Sequence, residues 1–175
     1  MLWTILIIIA VVIAAILIFA ATKPDVFRIQ RSATIAAPAD KIFPHLVDFQ
    51  RWPSWSPYEK KDPAMKRTFS GPATGPGAIY AWDGDKNIGQ GRIEVTDVSP
   101  NARLAFNLIM LRPFAAHNKG EFTLEPQGNA TLVTWAMHGP APYFSKLMQV
   151  FCNMDRMVGG DFEKGLAGLK AIAEK

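Results

Sequence analysis

The sequence contains a single cysteine, Cys152, among 175 residues, so no disulfide can form within the chain. Its three histidines are widely separated and do not match the ligand spacing of a zinc site. No block of five or more Lys or Arg residues occurs, and the net charge is +4, so a nucleic-acid partner is not expected. Phosphate-binding glycine loops and the common hydrolase and metalloprotease signatures are also absent. We therefore expect neither a metal nor a cofactor.

Charge is missing from the first 22 residues, because the 19 basic and 15 acidic side chains all lie beyond them. As a helix, residues 2–21 would reach about 30 Å, the thickness of the hydrocarbon core of a bilayer. A cleaved signal peptide would need basic residues before a shorter apolar core, and Phe19 does not suit cleavage after Ala21. The run therefore predicts an uncleaved membrane anchor with Trp3 at the interface. A signal peptide or a buried core helix is the alternative.

The residues that follow the apolar run carry positive charge. Lys23, Arg28 and Arg31 lie after it, whereas only the α-amino group precedes it. Because positive flanks remain on the cytoplasmic side, this distribution predicts a cytoplasmic C-terminal domain. The lone cysteine agrees with a reducing compartment. Residues 22–25 would then be a linker, and residues 26–175 one domain.

Alternating apolar residues predict a β-rich domain after the linker. Seven segments stand between turns rich in Gly, Pro, Asn and Asp, and a short helix over residues 40–48 follows the first of them. The predicted strands are 26–36, 66–70, 78–82, 91–98, 103–111, 118–125 and 131–138. A long amphipathic helix is predicted over residues 143–173, with a bend at Gly159-Gly160. One helix along the apolar face of an antiparallel sheet is an α+β arrangement.

Several local motifs together carry a family resemblance. Residues 36–43 lie at the first strand–helix junction, and residues 48–57 follow the helix. Further motifs are Gly75-Pro76-Gly77, Trp82, Gly89-Gln90-Gly91 and residues 131–135. In order and spacing they resemble the START-like (SRPBCC) superfamily of birch-pollen-allergen-type proteins, and within it the polyketide cyclase/dehydrase branch. The resemblance covers about residues 26–173 and leaves out the N-terminal apolar run.

This resemblance implies the helix-grip fold, a curved antiparallel sheet of about seven strands around a long C-terminal helix. It implies a cavity between sheet and helix but brings no shared catalytic residues. The residues expected to line that cavity are Trp82, Phe106, Leu108, Phe122, Trp135, Met137, Met148, Phe151, Met154 and Val158. Four methionines would lie where the last strand and the long helix face each other: Met137, Met148, Met154 and Met157. Their flexible side chains suit apolar ligands of varied shape, although ordinary core packing explains their position almost as well. Trp52 and Trp55 are candidates for a ligand portal, or else pin their loop to the sheet.

Proton transfer in such a cavity would require titratable side chains. The candidates are His45, His117 and His138, with Asp155 or Tyr80 as a partner, and structural histidines are the simpler interpretation. The leading hypothesis is a membrane-anchored, non-enzymatic domain that binds a hydrophobic or lipid-like small molecule. The alternatives are an enzyme of the polyketide cyclase/dehydratase type that uses the same cavity, and a protein-interaction module.

Overall fold

The computed structural model describes residues 1–175 and contains seven strands and five α-helices. The strands are β1 (Val26–Ile35), β2 (Lys66–Ser70), β3 (Ile79–Asp83), β4 (Gln90–Ser99), β5 (Arg103–Arg112), β6 (Ala116–Gln127) and β7 (Ala130–Pro140). The helices are α1 (Leu2–Ala21), α2 (Ala39–Val47), α3 (Pro57–Lys61), α4 (Tyr143–Phe151) and α5 (Met154–Ala173). A short 3-10 helix covers Phe49–Ser54. All seven predicted strands are present, and no end differs from its prediction by more than two residues.

The strands form one antiparallel sheet in the order β1-β7-β6-β5-β4-β3-β2. The first strand therefore pairs with the last, and Ile29 of β1 lies opposite Met137 of β7. The pairing of β4 with β5 shifts register after Gln90 and again after Val95. Such irregularities bend a strand and increase its twist, which curves the sheet over its apolar face. The predicted antiparallel α+β architecture is confirmed.

Helix α5 covers the apolar face of this curved sheet. The rings of Trp135 on β7 and Phe162 on α5 stack with centroids 4.1 Å apart and planes 10° apart. Gly165 permits this close approach, because a Cβ atom there would lie 2.7 Å from the Trp135 ring. Leu166 and Leu169 continue the buried side of the helix. The sheet and α5 thus give the expected helix-grip fold.

The predicted long C-terminal helix is interrupted, and the position predicted for its bend is wrong. Gly159-Gly160 lies inside α5, whereas the helix breaks at Cys152 and Asn153. The Asn153 side chain accepts a hydrogen bond of 2.9 Å from the backbone N–H of Arg156. Asn is among the preferred residues for capping a helix N-terminus, so a new helix begins there. Helix α4 can therefore take a direction of its own.

Helix α1 lies outside the core of the domain. Of its residues only Ala20 is buried, and by length and composition it is able to cross a membrane. Near its end the Tyr143 hydroxyl of α4 donates a hydrogen bond of 2.9 Å to the carbonyl oxygen of Leu17. The hydrophobic core cluster lies entirely within residues 29–173. We therefore expect a fragment of residues 23–175 to fold without α1.

Candidate functional site

A cavity of about 420 Å³ lies between the apolar face of the sheet and α5. Of the 21 residues that line it, 16 are hydrophobic. Binding sites for small molecules are commonly apolar clefts of about 300–1,000 Å³ that contain a few polar groups. The cavity therefore has the size and lining expected for one small apolar ligand.

Seven of the ten residues predicted for the cavity wall line this space in the structure. They are Trp82, Phe106, Leu108, Trp135, Met137, Met154 and Val158. The sheet contributes the first five, and the first turns of α5 contribute the last two. Met65, Met110 and Met157 also face the cavity, so that five of the seven methionines of the chain lie on its wall. Flexible thioether side chains allow such a wall to adapt to ligands of different shape.

The other three predicted wall residues lie elsewhere, so the prediction is wrong for them. Phe122 is fully buried in the core, where its ring packs 4.8 Å from that of Trp135, centroid to centroid. Met148 and Phe151 are exposed on α4 and do not line the cavity. The prediction assumed one continuous helix, whereas the break at Cys152 separates the apolar stripe of α4 from that of α5.

Trp52 and Trp55 are core residues, so the prediction of a ligand portal is wrong. They are 3% and 1% exposed, and Trp52 lines only the inner wall of the cavity. The last carbonyl groups of a helix have no partner within the helix. Here the indole N–H of Trp52 donates to the Leu46 oxygen at 3.0 Å, and that of Trp55 donates to the His45 oxygen at 2.9 Å. The two indoles therefore fasten the loop to the end of α2. Both rings also pack against Phe122 of the sheet, with centroids 6.4 and 6.0 Å away, so the loop is pinned to the sheet as the alternative interpretation expected.

Glu59 is the one carboxylate in the cavity wall, and no sequence motif predicted it there. Its side chain is buried on α3. The Tyr80 hydroxyl donates to Oε1 at 2.5 Å, and a guanidinium nitrogen of Arg67 lies 2.7 Å from Oε2. No local spacing indicates this group, because Arg67 and Tyr80 come from β2 and β3. Only the tertiary structure brings the three side chains together.

Tyr80 stays protonated in this environment. Burial raises the pKa of Tyr80, and the hydrogen bond to Glu59 raises it further. Burial also raises the pKa of Tyr58, which lines the same cavity. A general acid or base works best when its pKa lies near the working pH. Both hydroxyls therefore stay protonated at neutral pH and do not suit proton transfer.

None of the three histidines lines the cavity, so the suggestion that they form its acid–base groups is wrong. His45 lies in the last turn of α2, where burial lowers its pKa and the nearby charge of Arg51 lowers it further. His117 is exposed on β6. His138 follows the cavity residue Met137 on β7, and successive strand residues point to opposite faces. His138 therefore lies on the outer face of the sheet.

Asp155, the proposed acidic partner, belongs to an ion pair outside the cavity. The guanidinium of Arg31 on β1 donates to its two carboxylate oxygens at 3.0 and 2.9 Å, and its Nε donates to Glu163 at 2.7 Å. The hydrogen bonds from Arg31 lower the pKa of Asp155. A Cβ atom at Gly159 would lie 2.2 Å from the Arg31 guanidinium, so this glycine makes room for the pair. The contact fastens the start of α5 to β1.

Solved structures with the same fold include proteins of several kinds. The di-domain ARO/CYC StfQ from the steffimycin biosynthetic pathway has a TM-score of 0.64 and 14% identity, over 85% of this chain and 51% of that chain. Protein CV1439 from Chromobacterium violaceum has a TM-score of 0.60 and 12% identity, over 87% of this chain and 99% of that chain. Ara h 8.0201 has a TM-score of 0.55 and 12% identity, over 85% of this chain and 97% of that chain. Identities this low show the fold alone.

The family is shown by the sequence match. Among curated proteins none matches the chain. The family model described as polyketide cyclase / dehydrase and lipid transport matches residues 26–174, which is almost the whole chain beyond α1. The match includes all seven strands, α5 and every residue of the cavity wall. The chain therefore belongs to the polyketide cyclase/dehydrase and lipid transport family.

Proposed function

We propose that this protein is a membrane-anchored domain that binds one hydrophobic or lipid-like small molecule in the cavity beneath α5, without catalysing a reaction on it. The cavity carries the proposal, because its volume is about 420 Å³ and 16 of its 21 lining residues are hydrophobic. The family description, which includes lipid transport, supports the same class of ligand.

The polar groups of the wall favour binding over catalysis. Glu59 is already paired with Arg67 and accepts the Tyr80 hydrogen bond, so this cluster is internally satisfied. Ser56 and Asn118 add uncharged hydrogen-bonding groups to the wall. An enzyme of the cyclase type would need a group that gains or loses a proton near neutral pH. The histidines, which are the side chains best suited to that role, lie outside the cavity.

Native mass spectrometry of the 23–175 fragment tests the proposal. We expect a folded species that carries one non-covalent adduct with the mass of a lipid or another apolar metabolite. The matched control is Leu108→Trp, which fills the cavity from the sheet side and should remove the adduct. Equal adducts on parent and variant would place the molecule outside the cavity. No adduct on the parent, together with no binding of added fatty acid, would contradict ligand binding.

We propose that α1 spans a membrane and holds the domain on the cytoplasmic side. The support is a charge-free helix of 20 residues followed by Lys23, Arg28 and Arg31, the charge distribution typical of a cytoplasmic flank. Protease added to intact cells should leave the domain undigested and should digest it once the cells are permeabilised. Digestion in intact cells, or a mature N-terminus near Thr22, would contradict this assignment.

A further inference from the structure

Helix α4 turns its apolar side away from the protein. Phe144, Met148 and Phe151 follow one another at helical spacing and are 58%, 41% and 68% exposed. The buried side contains Lys146, whose Nζ lies 2.6 Å from Oδ1 of Asp25. A soluble helix normally buries its apolar face and exposes its charges. The inverted arrangement indicates that this face of α4 lies against an apolar environment outside the domain.

The exposed face of α4 is continued by the connection between β5 and β6. Phe114, at the tip of this connection, is 68% exposed, and its ring centroid lies 6.0 Å from that of Phe144. We refer to Phe114, Phe144, Met148 and Phe151 together as the apolar rim. Contiguous exposed apolar side chains of this kind mark surfaces that meet a protein or a membrane.

The apolar rim stands beside the opening of the cavity. Pro113 precedes Phe114, and Met157 lies in the second turn of α5, just after the end of α4. Both residues line the cavity and are also exposed to solvent. The cavity therefore opens between the β5–β6 connection and the start of α5, and the rim borders that opening.

The contact between α1 and α4 determines the depth of the apolar rim in the proposed membrane. The hydrogen bond from Tyr143, the first residue of α4, reaches Leu17, four residues before the end of α1. Four helical residues span about 6 Å. Interfacial helices bury their apolar face about 5–10 Å into the boundary between headgroups and acyl chains, and tyrosine is enriched at that depth. The start of α4 therefore lies at the depth of an interfacial helix.

We infer that the apolar rim inserts into the bilayer interface beside α1, so that the cavity opens onto the lipid phase and takes its ligand from the membrane. The inference rests on the proposed membrane span of α1. Lys23, which follows α1, and Arg156, in the first turn of α5, add positive charge that suits phosphate headgroups. A bilayer is favoured over a protein partner because α4, which carries most of the rim, packs against α1, and α1 is itself apolar and exposed.

The native cysteine provides a probe at the rim. Cys152 is exposed and directly follows Phe151, so a nitrobenzoxadiazole label on the full chain reports the environment of the end of α4. The labelled protein is reconstituted into phosphatidylcholine/phosphatidylglycerol vesicles and titrated with a lipid-borne nitroxide and with aqueous iodide. The control carries Cys152→Ser and Asn129→Cys, which moves the label to the β6–β7 turn at the opposite end of the sheet.

We expect the protein to float with the vesicles, and the lipid nitroxide to quench the label at 152 several-fold more strongly than the label at 129. Phe144→Ser/Phe151→Ser should float as well but lose this quenching, and its exposed positions leave the core intact. Flotation with quenching at 152 by iodide alone would overturn the inference and leave the anchor in place. A label at 152 that neither quencher reaches would indicate a protein partner or a second copy, and would also overturn it. Failure to float would overturn the anchor and the inference together.

Discussion

Met154→Trp is expected to weaken binding of an apolar probe to the cavity strongly and to leave the stability of the domain almost unchanged. Met154 is the first residue of α5 and lines the cavity. The larger ring would extend into a space of about 420 Å³, so it has room that a packed core would not offer. Added volume in a close-packed core costs about 1–3 kcal/mol, whereas here the cost should be well below that. Affinity should fall at least about tenfold, which corresponds to about 1.4 kcal/mol.

The matched control for this experiment is Met148→Trp, the same exchange on the exposed side of α4 outside the cavity. It should bind the probe as the parent does. Titration of the 23–175 fragment with a fluorescent fatty acid and urea unfolding of each variant give the two quantities. Strong destabilisation by Met154→Trp, with no binding by the parent, would mean that the space is filled in solution and would contradict the proposed function.

Trp55→Ala is expected to lower the free energy of unfolding by about 3–5 kcal/mol, the usual cost of removing a large buried aromatic side chain. Trp55 is fully buried, and its ring centroid lies 6.0 Å from that of Phe122 and 5.8 Å from that of Trp135. The substitution also removes the hydrogen bond to the His45 oxygen. The free energy of unfolding of a typical domain is about 5–15 kcal/mol, so this one substitution would remove a large fraction of it.

The conservative variant Trp55→Phe separates the ring from the hydrogen bond. It keeps one aromatic ring in the core but loses the indole N–H and part of the ring volume. The His45 oxygen is then left without a partner, at a cost of about 1–3 kcal/mol. Urea unfolding of the 23–175 fragment measures both variants, and Trp55→Phe remains informative if Trp55→Ala is too unstable to purify. A cost below about 1 kcal/mol for Trp55→Ala would place this side chain at a mobile entrance and not in the core.

The strands were predictable because their signal is local. Alternation along residues 103–111 and turn residues such as Asn101 determine where a strand begins and ends, whatever it pairs with. The interruption at Cys152 was missed for a related reason. Apolar residues continue at steps of three and four from Phe144 to Phe162, so periodicity alone gives no sign of a break. The capping residue Asn153, followed by Asp155 in the first turn of α5, was the available signal.

The polar part of the site was not predictable in the same way. Glu59 is held in the cavity wall by an ion pair with Arg67 and a hydrogen bond from Tyr80. The pairing of β2 with β3 and the position of α3 bring these side chains together. The two tryptophans were ambiguous because the acceptors of their indole N–H groups are backbone carbonyls, which every sequence supplies. Periodicity predicts which face of a strand is apolar, but it does not predict which buried polar groups meet.

The pairing of the first strand with the last has a consequence for biosynthesis. Every residue of β1 lies opposite a residue of β7, from Val26 opposite Pro140 to Ile35 opposite Thr131. At about 5–20 residues per second, β1 leaves the ribosome on the order of ten seconds before its partner does. Strands β2 to β6 can pair with their neighbours during that time, but β1 cannot. Under the proposed membrane insertion of α1, β1 would remain an unpaired strand at the bilayer surface, and the sheet would be completed only when translation is nearly finished.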